Sequence, residues 1–210
     1  MKENRVMIPC QGIRLEGLLN LQEALSIKPG VIFCHPHPQY GGDMDHGVII
    51  AAVEAASQEG LSTLRFNFRG VGASEGSYAE GIGEQEDVKA IIDYFHSRLN
   101  DSNARLILVG YSFGAWAGMP VAVGDDRIRA LVAIAPPLEL YNFEFLKGCK
   151  KDKRVIAGSR DDFCPVPLLE KFYQTLEEPK SLAIIPGANH FFSFHLQTLT
   201  QTLREFFRNK

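Results

Sequence analysis

The 210-residue chain carries 25 acidic and 22 basic side chains, a net charge of −3 with histidine neutral, and a 45% apolar fraction, which fits a single α/β domain over residues 1–210 with a real core. The slight acidity gives no electrostatic case for nucleic acid, since the densest basic stretch, Lys147 to Arg154, is broken by Asp152, and no run approaches the ~18 apolar residues of a membrane span. Met1 to Pro9 lacks the apolar core of a signal peptide, and Cys10, Cys34, Cys149 and Cys164 have no C-x-x-C spacing for a zinc or redox pair, so a cytoplasmic chain with free thiols and neither membrane nor nucleic-acid partner is expected.

Val6 to Ile8 and Ile13 to Asn20 read as two strands around the turn Pro9-Cys10-Gln11-Gly12. Val31 to Cys34 is a short apolar strand that runs into the Pro-rich loop His35-Pro36-His37-Pro38. Gly47 to Gln58 is Ala-rich and helical, with Gly60 as its stop, and Leu61 to Phe68 follows as a strand. In Glu84 to Leu99, Val88, Ile91, Ile92, Phe95 and Leu99 share one helical face. Arg105 to Val109 reads as a strand, Phe113 to Val123 as a helix that Pro120 kinks or ends early, and Ile128 to Ala135 as a strand stopped by Pro136-Pro137. A short helix is expected around Leu138 to Leu146, then a strand at Arg154 to Gly158, a helix at Leu168 to Leu176, a strand at Ser181 to Ile185 and a last helix from His195 to Phe207. Near-strict alternation after residue 30 implies a mostly parallel sheet with helices on both faces.

The segment Gly110-Tyr111-Ser112-Phe113-Gly114 joins a strand directly to a helix. Strand, Gly-X-Ser-X-Gly, helix is the layout of a nucleophile elbow, which holds a serine hydroxyl out of the backbone at the head of a helix. The same pattern recurs at Gly72-Ala73-Ser74-Glu75-Gly76, but breakers follow it and no helical period does, which places Ser74 on a loop. A serine hydroxyl needs a base, usually an oriented histidine, and in open α/β sheets working groups lie in loops at the C-terminal strand ends. Those loops offer Asp161 or Asp162 after the strand at Arg154 to Gly158, and His190 after the strand at Ser181 to Ile185. His195, on the last helix, is the weaker base candidate.

The chain resembles the α/β-hydrolase superfamily, and within it the dienelactone-hydrolase-like group of predicted hydrolases. The likeness covers nearly its whole length. It runs through His35-Pro36-His37-Pro38 with Tyr40-Gly41-Gly42, Arg65 to Gly72 with Ser74 and Gly76, Gly110 to Gly114, Gly158 to Asp162 with Pro165, and Gly187 to His190. The resemblance implies an α/β-hydrolase fold and the chain order Ser…Asp…His. It selects Asp161, three residues beyond the Gly of a G-x-x-D segment, and it explains Ser74 as part of a structural R-G-x-G-x-S loop. Dienelactone hydrolases proper use a cysteine nucleophile; this elbow carries Ser112.

The expected oxyanion donors are the Phe113 N–H and one from the loop after Cys34. Pro36 and Pro38 have no N–H, so His37 is the leading donor, with Gln39 or Tyr40 next. His35-x-His37 with Asp43, Asp45 and His46 offers nitrogen and oxygen ligands, but the spacing fits no zinc motif, and neither metal nor cofactor is expected. Too few residues separate Ala135 from Arg154 for a large lid domain. Tyr40, Tyr111, Leu138, Phe163 and Phe191 are candidate pocket walls. The expected activity is cleavage of a small-molecule acyl substrate by a serine hydrolase, foremost a carboxylic ester, with a thioester or small peptide served by the same machinery. The competing reading is a non-catalytic ligand-binding protein on a hydrolase scaffold.

Overall fold

Successive side chains of a strand face opposite sides of its sheet, so a strand buried on both sides must be apolar at every position. The computed structural model describes residues 3–22, 28–99, 101 and 103–210. Its strands are β1 (Asn4–Cys10), β2 (Ile13–Asn20), β3 (Gly30–Cys34), β4 (Ser62–Phe66), β5 (Leu106–Tyr111), β6 (Ile128–Ile134), β7 (Asp152–Gly158) and β8 (Lys180–Ile185). They form one sheet in the order β1-β2-β4-β3-β5-β6-β7-β8. β1 pairs antiparallel with β2, and β2 antiparallel with β4. Every later pairing is parallel.

Helices α1 (Gly47–Gln58), α2 (Ile82–Arg98), α3 (Phe113–Gly124), α4 (Val166–Gln174) and α5 (Leu196–Phe207) cover both faces. On one side Leu106 and Leu108 of β5 pack with Val88, Ile91 and Phe95 of α2 and Met119 of α3. On the other, Ile107, Val109 and Tyr111 pack with Val48 and Ala52 of α1 and Leu199 and Leu203 of α5. Each fully buried Leu or Ile contributes about 2 kcal/mol, and this two-sided burial makes β5 a rigid base for the turn that follows it.

Two local expectations need correction. Pro120 does not end α3, which continues to Gly124. A proline inside a helix costs about 3 kcal/mol, but Ala115, Ala117, Met119 and Ala122 are buried along this helix, and that packing holds it together. Leu138 to Leu146 is not a helix either. A hydrogen-bonded turn at Pro137 to Tyr141 is followed by one short 3-10 helix over Glu144–Leu146, which begins where Asn142 Oδ1 accepts the Glu144 N–H at 2.7 Å. The segment between β6 and β7 holds no large lid domain.

Candidate active site

β5 ends at Tyr111 and α3 begins at Phe113, so Ser112 alone makes the turn. Its φ of 53° and ψ of −120° are strained for a residue with a Cβ, at a cost of about 1–3 kcal/mol. Backbone bonds on both sides hold it there: Ser112 N–H donates to Ile134 O at 2.9 Å, and Ser112 O accepts from Ala115 N–H at 3.0 Å. The flanking glycines have no room for a side chain. A Cβ at Gly110 would stand 2.4 Å from Ala115 Cα, and one at Gly114 would stand 2.2 Å from Cys34 O.

Three separate strand ends converge on this turn. The Ser112 hydroxyl donates to His190 Nε2 at 2.9 Å. His190 Nδ1–H donates to both carboxylate oxygens of Asp161, at 3.0 and 2.9 Å. A carboxylate can only accept, so this contact puts the imidazole proton on Nδ1 and leaves the Nε2 lone pair facing the serine. Asp161 Oδ1 also accepts the Phe163 and Cys164 N–H groups at 2.9 and 3.0 Å, which fixes the carboxylate plane. Tyr111 OH donates to His190 O at 3.1 Å, tying the loop after β8 to the strand beneath the elbow.

The alternatives go elsewhere. Ser74 Oγ donates to Asn67 O at 2.7 Å and accepts the Glu16 N–H at 2.9 Å, so its hydroxyl pins the loop to β2. Asp162 is exposed. His195 sits at the N-cap of α5 and donates from Nδ1 to Ser193 O at 2.7 Å.

Phe113 is the first residue of α3, where a helix leaves its N–H without an internal partner. In the loop after β3, Gln39 N–H donates to His37 Nδ1 at 3.2 Å and Tyr40 N–H to His37 O at 3.1 Å. Among the described residues, the His37 N–H has no acceptor. The His37 ring lies 4.8 Å from the Phe113 ring between centroids, which seats this loop against the head of α3. Because Nδ1 accepts from Gln39, the neutral ring carries its proton on Nε2 and donates it to Tyr78 OH at 3.3 Å. Burial lowers the His37 pKa, and Glu84 opposes that shift.

His35 is fully buried. Its Nε2 accepts the Phe68 N–H at 3.0 Å and its Nδ1–H donates to Pro36 O at 2.6 Å, so both nitrogens are occupied. Among the described residues, no three His, Cys, Asp or Glu side chains are placed to hold a metal. Burial pushes the His35 pKa from 6.5 down to about 3. Between those values the unfolded chain binds a proton that the folded chain refuses. Stability therefore falls as pH drops through this window, by up to about 1.4 kcal/mol per pH unit from this group. Urea midpoints taken from pH 7 to pH 4 will fall more steeply for the native chain than for His35→Gln; equal slopes would contradict the assignment.

A cavity of about 490 Å³ opens over Ser112. Tyr40, Tyr111, Phe163 and Phe191 line it as expected, but Leu138 does not. Leu138 packs against the core, and Leu140, two residues on, reaches the cavity instead. Sequence reasoning also missed Tyr141 and, as a wall residue, His46. The signal for His46 was its place directly before a helix start. Among the described residues, no Lys, Arg, Asp or Glu lines the cavity. Its rim is apolar and open, with Tyr40, Leu140 and Phe191 exposed.

Residues 31–147 match the Alpha/beta hydrolase family, and residues 117–210 match PhoPQ-activated pathogenicity-related protein. An uncharacterized protein of Rickettsia prowazekii is 31% identical over 186 residues, which span 85% of this chain and 78% of that protein. An alpha-beta serine hydrolase homologue from Coxiella burnetii has a TM-score of 0.90 at 31% identity, covering 98% of each chain. A member of the a/b serine hydrolases without lid, from Xanthomonas campestris, has a TM-score of 0.88 at 29% identity, covering 100% of this chain and 95% of that one. No helix among the described residues is long and apolar enough to cross a membrane.

Proposed function

The chain belongs to the alpha/beta hydrolase family, and from that membership we propose that it hydrolyses carboxylic esters of small to medium size through Ser112, His190 and Asp161. The observation that carries this reading is the continuous run of hydrogen bonds from Asp161 through His190 to a strained serine under an uncharged cavity. A scaffold that only bound ligands would have no use for a serine held at that cost with its hydroxyl aimed at a lone pair.

In the proposed reaction Ser112 Oγ attacks the ester carbonyl while His190 Nε2 takes its proton. The imidazolium is stabilised and kept in plane by Asp161. The oxyanion forms beside the free N–H groups of Phe113 and His37, each such donor being worth about 3 kcal/mol to the transition state. The carbon–oxygen bond to the alcohol then breaks, and His190 protonates the departing oxygen. Water attacks the acyl-enzyme with His190 again as base, releasing the acid and restoring the serine. No cofactor enters any step. An ester suits this cavity better than a small peptide, because among the described residues no Lys, Arg, Asp or Glu lines it to pair with peptide termini.

A series of p-nitrophenyl esters from acetate to laurate tests the reading. Turnover is expected, with kcat/KM highest for acyl chains of about four to eight carbons, which suit a cavity of about 490 Å³. Absence of turnover across the series would remove the reading.

A further inference from the structure

The reaction above leaves one histidine of the cavity wall unused. His46 is the N-cap of α1, and its Nδ1 accepts the Val48 N–H at 3.3 Å. A backbone N–H can only donate, so Nδ1 presents its lone pair and the proton of the neutral ring lies on Nε2. That Nε2–H has no acceptor among the described residues. Nor is it one of the sealed and unpartnered polar atoms there, which are Asn20 Nδ2, Ser57 Oγ, Thr63 Oγ1 and Arg154 Nε. His46 lines the cavity, and its Nε2–H is a donor still free to pair with what binds there. Burial lowers the His46 pKa, the neighbouring His190 adds to that shift and Asp43 opposes it. The neutral, donating form therefore prevails at neutral pH.

The position of His46 identifies the half of the substrate it meets. His46 and His190 both pack on the Tyr111 ring, with centroids 5.1 and 5.6 Å from it. His37 and Tyr141 pack instead on Phe113, at 4.8 and 6.4 Å. His190 hands its proton to the departing alcohol, so the end of the cavity that His46 shares with His190 receives the leaving group. A neutral donor at this end of a wall that has no Lys, Arg, Asp or Glu among the described residues is suited to a neutral acceptor. An alkyl group placed against it would strip its water and leave it unpaired, a penalty comparable to a lost hydrogen bond.

Building on the ester-hydrolase reading, we propose that His46 Nε2–H donates a hydrogen bond to a second oxygen of the leaving alcohol, which makes esters of diols and polyols the favoured substrate class. The test compares 2-hydroxyethyl butyrate with propyl butyrate, which have the same number of heavy atoms, each rate being divided by that ester's hydrolysis rate in hydroxide. The native chain favours the hydroxyethyl ester by about fivefold in kcat/KM. His46→Ser and His46→Thr both keep an N-cap acceptor for the Val48 N–H but cannot reach the cavity, and in both the ratio falls to about one. A native ratio near one overturns the inference. So does a native ratio that both variants keep, including the case where the two rates fall together, because that is the result of a cap and nothing more. If the native chain hydrolyses neither ester, the hydrolase reading fails and takes this inference with it; turnover with an unchanged ratio defeats this inference alone.

Discussion

Replacing Ser112 by alanine lowers kcat on a short-chain p-nitrophenyl ester by about 10⁵-fold and leaves the melting temperature within a few degrees of the native value. The hydroxyl donates its one proton to His190, so its removal leaves the base without a nucleophile to activate. What survives is the slow attack of water assisted by the oxyanion donors. The backbone of the elbow has little reason to change, because Ile134 O and Ala115 N–H hold residue 112 through its main chain. The other Gly-X-Ser-X-Gly serine gives the reverse pattern. Ser74→Ala removes one donor and one acceptor from a buried loop, which costs about 1–3 kcal/mol of stability. Its kcat should stay within about threefold of native. Kinetics and urea melts of the two variants side by side check both halves, and similar kcat values for them would contradict the assignment of the nucleophile.

Asp161→Asn lowers kcat by about 10⁴-fold, and the direction follows from the hydrogen bonds around the carboxylate. The N–H groups of Phe163 and Cys164 both donate to Oδ1. The carbonyl oxygen of an introduced amide must therefore take the Oδ1 position, and its NH₂ group must take the Oδ2 position, 2.9 Å from His190 Nδ1. The NH₂ group and the Nδ1–H would then face each other donor to donor, with only the 3.0 Å contact to the amide oxygen left to hold the Nδ1 proton, and this weakens the Nδ1–H form. The imidazole shifts to the tautomer with its proton on Nε2, which cannot accept one from Ser112. Asp162→Asn, at the adjacent exposed position, changes kcat by less than about twofold. Equal losses in the two variants would show that the acid has been misplaced.

Most of this site can be read from the chain because its parts obey local rules. A serine between two glycines at a strand–helix junction can only be a tight turn, and residues just past the ends of parallel strands share one rim of the sheet. Ser112, Asp161 and His190 are legible on those grounds. The two-proline loop likewise leaves few N–H groups, and the structure uses up those of Gln39 and Tyr40 while leaving that of His37 free. What the sequence hides depends on contacts made at a distance. Pro120 looks like a helix end until the packing of Met119 and Ala122 is visible. Leu138 and Leu140 differ by two positions, and only the fold of the Pro136 to Lys151 segment decides which reaches the cavity. His46 looks like a metal-ligand candidate until α1 is docked beside Tyr111.

The proposed reaction requires one alcohol, held at the end of β5, to be made nucleophilic by an imidazole delivered from the end of β8. The most direct measurement is reaction of the native chain with a fluorophosphonate at neutral pH, followed by proteolysis and mass mapping of the modified peptide. The phosphonyl group should lie on Ser112, at one equivalent per chain, and both Ser112→Ala and an acid-inactivated sample should stay unlabelled. Modification at Ser74, or a native chain that takes up no label while other serine hydrolases in the same mixture do, would contradict the account.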